Sequence, residues 1–407
     1  MALASTSRVQ VRYIKETVFG ETPVAGNPKD LRITGESLNF TLSKESSAEI
    51  NAYRAVTSMI ATSAEASGGV QGEMQYAEYD PLIEATLQSA YVPFGTNGVG
   101  VVFSGTFTAT AITASVATTG TSIFTALQPG QWFTVGGTGS ANDNKLFRVS
   151  KTVAPTTTII TLDPGTPAIV GGPFAATVVK ASRLSNGVTQ PSFSFEREAA
   201  DVGEYFLFTG MTASSMSLNI ASGSLSTLEF TFMGQDAEQD DATMLPGTPQ
   251  ASKAYQIMSG VSGTTCALWA KGAPLTGTFI NSIALSYDNA LRAQNAICSL
   301  GAVGIGSGTI AATIDIEVYF AAGATFYSEF LENENIEIAF TAFDVDGNGY
   351  VFTFPAANVS TYTVNAGGKD ADLMAQISLT ALLDLGNVVP ALRKVMFIDR
   401  IGAAVTP

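Results

Sequence analysis

The feature that most constrains this chain is a strict alternation of apolar and polar residues within residues 279–332. Between residues 314 and 320 every second side chain is apolar, and Asp315, Glu317 and Tyr319 lie between them. A period of two indicates a half-buried β-strand, with one face on a core and the other on water or a partner. A second apolar segment ends at Tyr287, and a loop of small residues, 288–308, separates the two segments. The pattern predicts a long β-hairpin.

Composition extends this prediction to the rest of the chain. The 407 residues include 39 glycines, 46% are hydrophobic and only 14% are charged. A chain of this length has room for two or three domains with ordinary cores. Abundant glycine and few charges favour large sheets joined by small-residue turns over helical bundles. We therefore predict an all-β fold with few short helices.

Composition also excludes several functions. The chain has no histidine, which excludes Ser-His-Asp and Cys-His catalytic groups and every His-ligated metal site. Its net charge of −15 argues against a surface that grips nucleic-acid phosphates. The two cysteines, Cys266 and Cys298, are too few for a structural zinc site and are expected to stay thiols in a reducing cytoplasm. We expect no enzymatic activity and no cofactor.

Three short motifs suggest ligand sites, but each lacks a required residue. The glycine string that begins at Gly304 is not followed by the Lys-Ser/Thr pair of a phosphate loop, and GGKD at Gly367 lacks the hydroxyl that would hold magnesium. The sequence DVDGNG begins at Asp344 like a calcium loop, but its twelfth position is Pro355 where a bidentate glutamate is needed. Strand patterns flank it, so we expect a hairpin turn without a metal.

Hydropathy bears on where the chain is located. No apolar block of signal-peptide length follows Arg8 and Arg12. No run of about 18 apolar residues occurs, which is the length that a membrane helix needs. The sequence therefore predicts neither export nor membrane insertion.

A fainter copy of the alternating stretch lies near the N-terminus. Ile33 and Phe40 lie the same number of residues before their counterparts Ile280 and Tyr287. From Phe193 onward, the separation between corresponding residues of the two copies is shorter by about a hundred residues. The pattern indicates a duplicated chain whose first copy carries an insertion. The alternative is chance, because two Gly/Thr-rich antiparallel segments can be slid into partial register.

These intervals divide the chain into six segments. They are an N-terminal arm (1–30), a first β-sheet unit (31–89 plus 188–233), an inserted surface β-domain (90–187), an acidic linker (234–274), a second β-sheet unit (275–395) and a C-terminal tail (396–407). Short strands joined by glycine and Asn-Asp turns predict a small β-sandwich for the insertion. Each of the two units is expected to include one short helix, at 81–90 and 324–332.

Acidic residues are the remaining candidates for function. Glu196, Glu198 and Asp201 cluster at one predicted turn, and Asp344 and Asp346 lie at the matching turn of the second copy. Charged turn residues are commonly only solvated tips. The other interpretation is that they form a surface that repels anions.

Several long segments resemble one protein family. LRITGESLNFTLSKESSAEINAYR, GGVQGEMQYAEYDPLIEATL and LRAQNAICSLGAVGIGSGT, with IEVYFAAGATFYSEFLENENIEIAFTAFDVDGNGYVFTFP, resemble major tail tube proteins of long-tailed, non-contractile bacteriophages. The likeness covers most of the chain outside the insertion. It implies two tandem antiparallel β-barrels or sandwiches, each with a flanking helix, in rings of six barrels around a DNA channel.

The resemblance also implies partners. With two barrels per chain, a ring would be a homotrimer with pseudo-hexameric symmetry, whereas six chains would be needed if the duplication fails. Stacked rings would form a virion tail tube, assembled in the host cytoplasm, through which double-stranded DNA passes without specific binding. Tape-measure and tail-terminator proteins would be further partners. The five acidic residues above would face the lumen or ring contacts, and loops 43–69 and 288–308 would reach the adjacent ring through Lys44, Glu45, Glu49, Asp288 and Arg292.

Two other classes share this composition. A phage baseplate or decoration protein would have the same strands without forming tubes. A secreted β-rich adhesin would also be rich in Thr and Gly, but it requires an export signal, which the N-terminal residues do not contain.

Overall fold

β-strands dominate the computed structural model, which describes residues 4–93, 101–116, 124–180, 182–261, 268–275, 278–320, 326–366, 368–387 and 389–402. The two α-helices in these ranges have seven and six residues. None of the described helices has the length and apolarity to cross a bilayer. The predicted all-β fold with few short helices is confirmed.

The first part of the chain forms a hairpin, a helix and the strands around them. Pro81 lies in the first turn of the helix, where its fixed φ is favourable. The elements are β1 (Val9–Lys15), β2 (Lys29–Leu31), β3 (Gly35–Glu36), β4 (Asn39–Ser46), β5 (Met59–Glu73), α1 (Asp80–Thr86) and β6 (Val92–Pro93).

The next segment has a sheet and a core of its own. Its six strands pair in the order β10-β9-β12-β7-β8-β11, and aromatic side chains such as Phe103, Phe133 and Phe147 fill the core. The strands are β7 (Val101–Phe107), β8 (Ala111–Val116), β9 (Trp132–Gly136), β10 (Leu146–Arg148), β11 (Ile159–Thr161) and β12 (Gly171–Lys180).

The chain then returns to the first sheet and continues into its second half. The strands that complete the first half are β13 (Ser182–Ser185), β14 (Ser192–Ala199), β15 (Glu204–Ala221), β16 (Thr227–Gly234) and β17 (Asp236–Asp240). The second half has β18 (Leu268–Ala270), β19 (Ala273–Pro274), β20 (Ile280–Asp288), β21 (Arg292–Gln294), β22 (Gly304–Gly306), β23 (Ala311–Tyr319), α2 (Tyr327–Glu332), β24 (Asn335–Phe343), β25 (Gly349–Asn365), β26 (Met374–Ala381) and β27 (Phe397–Ile401).

The two halves pair their strands in the same order. In the first half the order is β4-β5-β16-β15-β14, and in the second half it is β20-β23-β26-β25-β24. Each long strand carries a register shift at the matching place, between Ala213 and Ser215 in β15 and between Val359 and Thr361 in β25. A bulge bends a strand locally, so both halves bend at the same point.

One sheet runs through both halves, because β15 pairs with β16 on one edge and with β20 on the other. The strands β4, β5, β16, β15, β20, β23, β26 and β25 therefore form a continuous surface, called here the eight-strand sheet. Burial of each aliphatic side chain beneath it contributes about 1.5–3 kcal/mol. One buried row crosses six of these strands through Leu228, Leu218, Leu285, Ile314, Leu379 and Val359.

The inserted sheet docks on the second half of the chain. The rings of Trp132 and Trp269 lie 4.7 Å apart, and Trp132 Nε1 donates to Thr353 Oγ1 at 3.0 Å. Arg183, in the strand that leaves the insertion, pairs with Asp399 of β27 at 2.7 Å, and both side chains are at least 95% buried. The insertion is thus tied to the half of the chain that does not carry it.

Several segments that the sequence assigns to arms, linkers and loops contain strands. Within the expected arm, β1 pairs with β14 and buries Val11 and Tyr13. The expected linker includes β17, which pairs with β15, and the expected tail includes β27, which pairs with β13 and β25. Much of the expected loop 43–69 belongs to β4 and β5. β17 and much of β4 and β5 are poor in large apolar residues and β27 is short, so their distant partners reveal them. β1, in contrast, alternates through Val9, Val11 and Tyr13, and its pattern alone indicates a strand.

Removing the Asp399 carboxylate tests the docking of the insertion. We expect Asp399→Ala to lower the free energy of unfolding by about 3–5 kcal/mol, because it leaves the Arg183 guanidinium buried without a counter-charge. Chemical denaturation measures the change. Asp372→Ala, at an exposed position, is the matched control and should change stability by less than about 0.5 kcal/mol. Equal effects of the two substitutions would contradict the role of the pair.

Candidate functional site: a polar sheet face

The eight-strand sheet has one face on the core and one face outside. Directly opposed residues lie on the same face, so the pairing fixes which side chains share the outer face. Glu229 lies opposite Gln71 and Ser217, and Ser217 lies opposite Ser286. The outer face therefore continues from the first half into the second without interruption.

Hydroxyl and amide side chains cover most of this outer face. They give it many hydrogen-bonding groups and very little apolar surface. Its members in strand order include Asn39, Thr41, Ser67, Gln71, Thr227, Thr231, Ser215, Ser217, Asn219, Ser282, Ser286, Thr313, Gln376, Ser378, Thr380, Thr361 and Thr363.

The charges on this face are negative except for Lys44, which lies opposite Ala61 in the outer part of β4. Within the eight strands Lys44 is the only basic residue, and it lies near the end of β4. None of the face carboxylates has an ion-pair partner among the described residues, so their charge is not neutralised. Such a face repels anions within about a Debye length, roughly 10 Å at 0.1 M salt. The carboxylates belong to Glu65, Glu73, Glu229, Asp288, Asp315 and Glu317.

Two of these carboxylates bond to neutral neighbours in the sheet. Asn281 Nδ2 donates to Glu317 Oε2 at 2.5 Å, and the Ser378 hydroxyl donates to Asp315. Neutral donors hold the side chains in place without removing their charge. The face can thus repel phosphate while its hydroxyl groups remain hydrated.

The acidic turn that the sequence singled out in the first half is held inside the chain. Glu196 is fully buried and accepts hydrogen bonds from Thr243 Oγ1 at 2.9 Å and from the Met244 amide at 2.7 Å. Its carboxylate therefore fixes the segment after β17. It lies on β14, outside the eight-strand sheet.

The other two acids of that turn form ion pairs with the N-terminal segment. Arg12 Nη1 lies 2.7 Å from Glu198 Oε2, and Arg8 Nη1 lies 2.8 Å from Asp201 Oδ1. The Ser5 amide also donates to Asp201 at 2.8 Å. These contacts hold the start of the chain against the turn between β14 and β15.

The DVDGNG turn is a hydrogen-bonded hairpin turn. Asp344 is fully buried; its Oδ1 accepts from the amides of Asp346 and Asn348 at 2.9 and 2.8 Å, and Asn348 Nδ2 donates to its Oδ2 at 3.0 Å. Asp346 is exposed. The described residues contain no group of three acidic or cysteine side chains placed to hold a metal ion.

The two predicted contact loops differ in conformation. Lys44, Glu45 and Glu49 are exposed on the hairpin of β4 and β5. In the second half, Arg292 belongs to the small hairpin of β21 and β22 and donates from Nη1 to the Ser307 carbonyl at 3.2 Å. This loop folds back on the first half of the chain.

Sequence reasoning did not single out the glutamates of the first-half sheet. Glu229 lies at an outward position of the alternating segment TLEFTF, and Glu65 and Glu73 lie outward on β5. Alternation shows that Glu229 points away from the core. It does not show that all six carboxylates share one surface, because that depends on the pairing of distant strands.

A comparison with known families gives a match over most of the chain. The sequence model of a family described as phage tail tube protein matches residues 6–381. Among curated proteins, none matches the chain.

Paired substitutions at the DVDGNG turn separate a structural carboxylate from an exposed one. We expect Asp344→Ala to lower the free energy of unfolding by about 1–3 kcal/mol, because buried donors lose their acceptor. Asp346→Ala should change it by less than about 0.5 kcal/mol. Thermal or urea denaturation measures both. Stabilisation of the unsubstituted protein by millimolar calcium would contradict this account.

Proposed function

The chain belongs to the phage tail tube protein family, and from this membership we propose that it assembles into stacked rings forming an acidic-lined conduit for genome DNA. The role is structural and not enzymatic. The observation that carries the proposal is the uninterrupted polar face of the eight-strand sheet, on which the six carboxylates have no ion-pair partner among the described residues.

Two tandem barrels per chain would give a ring of three chains. The shared strand order and the matching bulges of the two halves support a duplicated barrel. Three such chains provide six barrels, so the ring is a homotrimer with pseudo-hexameric symmetry. Six chains per ring are the alternative if each chain contributes one functional barrel.

Open strand edges offer the means of ring closure. Among the described residues, β4 pairs only with β5, and the end of β25, from Thr361 to Asn365, pairs only with β26. Unpaired edges are templates for another strand. The corresponding edges inside the chain, on β15 and β20, pair with each other. We infer that β25 of one chain pairs with β4 of the next in the same way, and that repetition of this heterologous contact closes the ring.

The internal junction specifies the register of this contact. Ser217 lies opposite Ser286 inside the chain. Phe40 of β4 and Tyr287 of β20 occupy matching positions in the two halves, because each lies opposite a buried alanine of the neighbouring strand. The preceding residues, Asn39 and Ser286, therefore also match. Thr363 of β25 and Ser217 of β15 lie at the same distance after the bulges of their strands, so they occupy matching positions in the two halves. Thr363 of one chain should therefore lie opposite Asn39 of the next.

The face that such a ring turns inward would be the polar one. The core side of the sheet is covered by the rest of each half, so the outer face is free to line a channel. DNA phosphates would be repelled from the face carboxylates and could slide without adhering. Exposed Asp346 is proposed for contacts between subunits, while Glu196 and Asp344 act within the chain. Glu198 and Asp201 also act within the chain, through their ion pairs with Arg12 and Arg8.

Assembly places the chain in the virion tail. Tape-measure and tail-terminator proteins are the proposed partners that set tube length, and the host cytoplasm is the proposed place of assembly. These partners follow from the role of a tail tube.

A cysteine pair tests ring closure and the number of chains. We expect Asn39→Cys with Thr363→Cys, in a chain whose native Cys266 and Cys298 are replaced by serine, to form disulfides between chains. Opposed residues have Cα atoms about 4.5–5.5 Å apart, within disulfide reach. Non-reducing electrophoresis of oxidised assemblies should show a ladder that ends at three chains.

The same gel distinguishes the alternatives. Each single-cysteine variant is the control and should give no ladder. A ladder ending at six chains would support single-barrel subunits. Assembled tubes without any cross-link would contradict the proposed edge pairing.

Charge reversal on the sheet face tests the conduit. We expect virions that carry both Glu229→Lys and Asp315→Lys to build tails of normal appearance. They should release DNA more slowly than unsubstituted virions, because the new ammonium groups attract phosphates. Ejection triggered in vitro and followed by a DNA-binding dye measures the rate. Glu238→Lys, exposed on β17 outside the face, is the control. Equal ejection rates for the double variant, the control and the unsubstituted virion would contradict an acidic lumen.

A further inference from the structure

A cleft lies beside β1 and the start of β14, two strands that do not belong to the eight-strand sheet. It has a volume of about 630 Å³, and Tyr13, Pro23, Pro81 and Phe193 are among the residues that line it. Lys15 lines both this cleft and an adjoining cavity of about 420 Å³. We call the two together the β1 cleft. Cavities of this size commonly bind ligands.

The β1 cleft has buried donors without hydrogen-bond partners. Tyr13 is 3% exposed, its ring packs against Phe193 and Phe195, and its hydroxyl bonds to none of the described residues. Gln190, which lines the adjoining cavity, has a buried Nε2 that also lacks a described partner. Buried polar atoms nearly always have a partner, because leaving one unpaired costs free energy. Two such donors at one cleft indicate a ligand that accepts hydrogen bonds.

Two lysines at the cleft carry unpaired charges. Tyr13 of β1 lies opposite Lys29 of β2, and Lys15 lies two residues further along β1, on the same face as Tyr13. Both lysines line the cleft and are exposed. Neither forms an ion pair with any residue in the described part of the chain. The cleft thus presents two free ammonium groups on either side of the Tyr13 phenol.

Among the described residues, two carboxylates line the β1 cleft, and both are engaged elsewhere. Glu84 Oε1 accepts from the Tyr91 amide at 2.8 Å. Glu16 is buried, and it accepts from the hydroxyls of Ser192 and Ser194 at 2.6 and 2.9 Å. Neither carboxylate neutralises the two lysines.

The second half of the chain shows how a lysine at the matching place is neutralised. There β18 pairs with β24, as β1 pairs with β14 in the first half. Lys271 directly follows β18, and its Nζ lies 2.6 Å from Glu329 Oε1 of α2. Lys15 has no such contact with α1, although both line the cleft. Its ammonium group is therefore available to a carboxylate of another molecule.

The spacing of the two lysines fits an extended peptide. Lys15 and Lys29 occupy diagonal positions on paired strands, which places their Cβ atoms about 7 Å apart. In an extended chain, side chains two residues apart lie on the same side and are separated by about 6.6 Å. Two acidic residues with one residue between them thus match the two ammonium groups. Gln190 Nε2 can donate to a backbone carbonyl of the same peptide.

We propose that the β1 cleft binds an extended acidic segment of a partner protein, with two carboxylates at alternate positions on Lys15 and Lys29. The Tyr13 hydroxyl donates to one of these carboxylates. The partner is a different polypeptide from this chain, because β1 is paired on both sides and the cleft lies at neither of the open edges of β4 and β25. The site is formed by one chain and adds a partner beyond the proposed tube assembly.

Titration of the purified chain with synthetic peptides tests the proposal. The probe is a dye-labelled Gly-Glu-Ser-Glu-Gly peptide, and the control peptide has glutamine in place of both glutamates. We expect saturable binding of the acidic peptide and none of the control, because only the acidic peptide supplies carboxylates to the lysines. Fluorescence anisotropy measures the affinity. Equal affinity for the two peptides, or no binding of either, would overturn the proposal.

Substitution of the two lysines tests the location of binding. We expect Lys15→Gln with Lys29→Gln to weaken binding of the acidic peptide by at least about tenfold, because both charge-assisted contacts are lost. Lys44→Gln with Lys369→Gln removes the same charge at exposed positions elsewhere and is the matched control. Equal weakening by the two double variants would show a general attraction to positive charge and contradict the site.

Tyr13→Phe separates a binding role of the hydroxyl from a structural one. We expect it to weaken peptide binding several-fold and to leave Tm unchanged or higher, since the hydroxyl has no described partner in the free chain. Thermal unfolding followed by circular dichroism measures Tm. A lower Tm with unchanged peptide affinity would show that the hydroxyl serves the fold alone and would remove it from the site.

Two further measurements identify the source of the carboxylates. Free glutarate, at the concentration of the acidic peptide, should not displace it, because glutarate offers no backbone carbonyl to Gln190. Displacement would show a site for small carboxylates and overturn the peptide assignment. Electron microscopy should show tubes of the Lys15→Gln, Lys29→Gln variant at the same concentration as those of the unsubstituted chain. Loss of tubes in this variant alone would show that a second copy of the chain occupies the cleft and would overturn the proposal.

Discussion

Backbone pairing between β15 and β20 is the contact on which the rest of the structure depends. It joins the two halves edge to edge in register, so that core residues of one half continue the row begun by the other. The buried row through Leu218, Leu285 and Ile314 exists because of this register. The same register carries the polar outer face across both halves. A shift of one residue would exchange the two faces and bury carboxylates.

The inserted sheet lies outside the eight-strand sheet and contacts the rest of the chain through a few buried side chains. It leaves the first half of the chain but contacts the second half through Trp132 and through the buried pair of Arg183 and Asp399. A second contact joins Arg148 and Lys151 of the insertion to Glu337 of β24. Burial opposes ionisation of Glu337, yet the two cations outweigh it and lower the pKa of its carboxyl. Buried ion pairs of this kind tolerate little misalignment, which makes the docking specific.

Carboxylates in this chain divide into two groups by their surroundings. Those at the turns and junctions, such as Glu196, Asp344 and Asp399, are buried and hydrogen-bonded or paired, so they hold segments together. Those on the outer face, such as Glu229 and Asp315, have neutral neighbours and keep an unbalanced charge. Of these two groups, the second can influence an anion outside the protein. In the proposed function, the second group would keep DNA from adhering and the first would keep the wall rigid.

The sequence by itself determined strand type, the face that each strand buries and the repeated order of elements. These are local properties, because alternation fixes the inward residues of a strand whatever its neighbours are. It also pointed to the insertion and to a family. It did not reveal that Glu196 is buried or that β1, β17 and β27 belong to the sheet. Only the tertiary structure decided which strands pair, since backbone hydrogen bonds between strands do not depend on side-chain identity. That choice of partners collects Glu65, Glu229 and Asp315 on one surface and leaves the edges of β4 and β25 open.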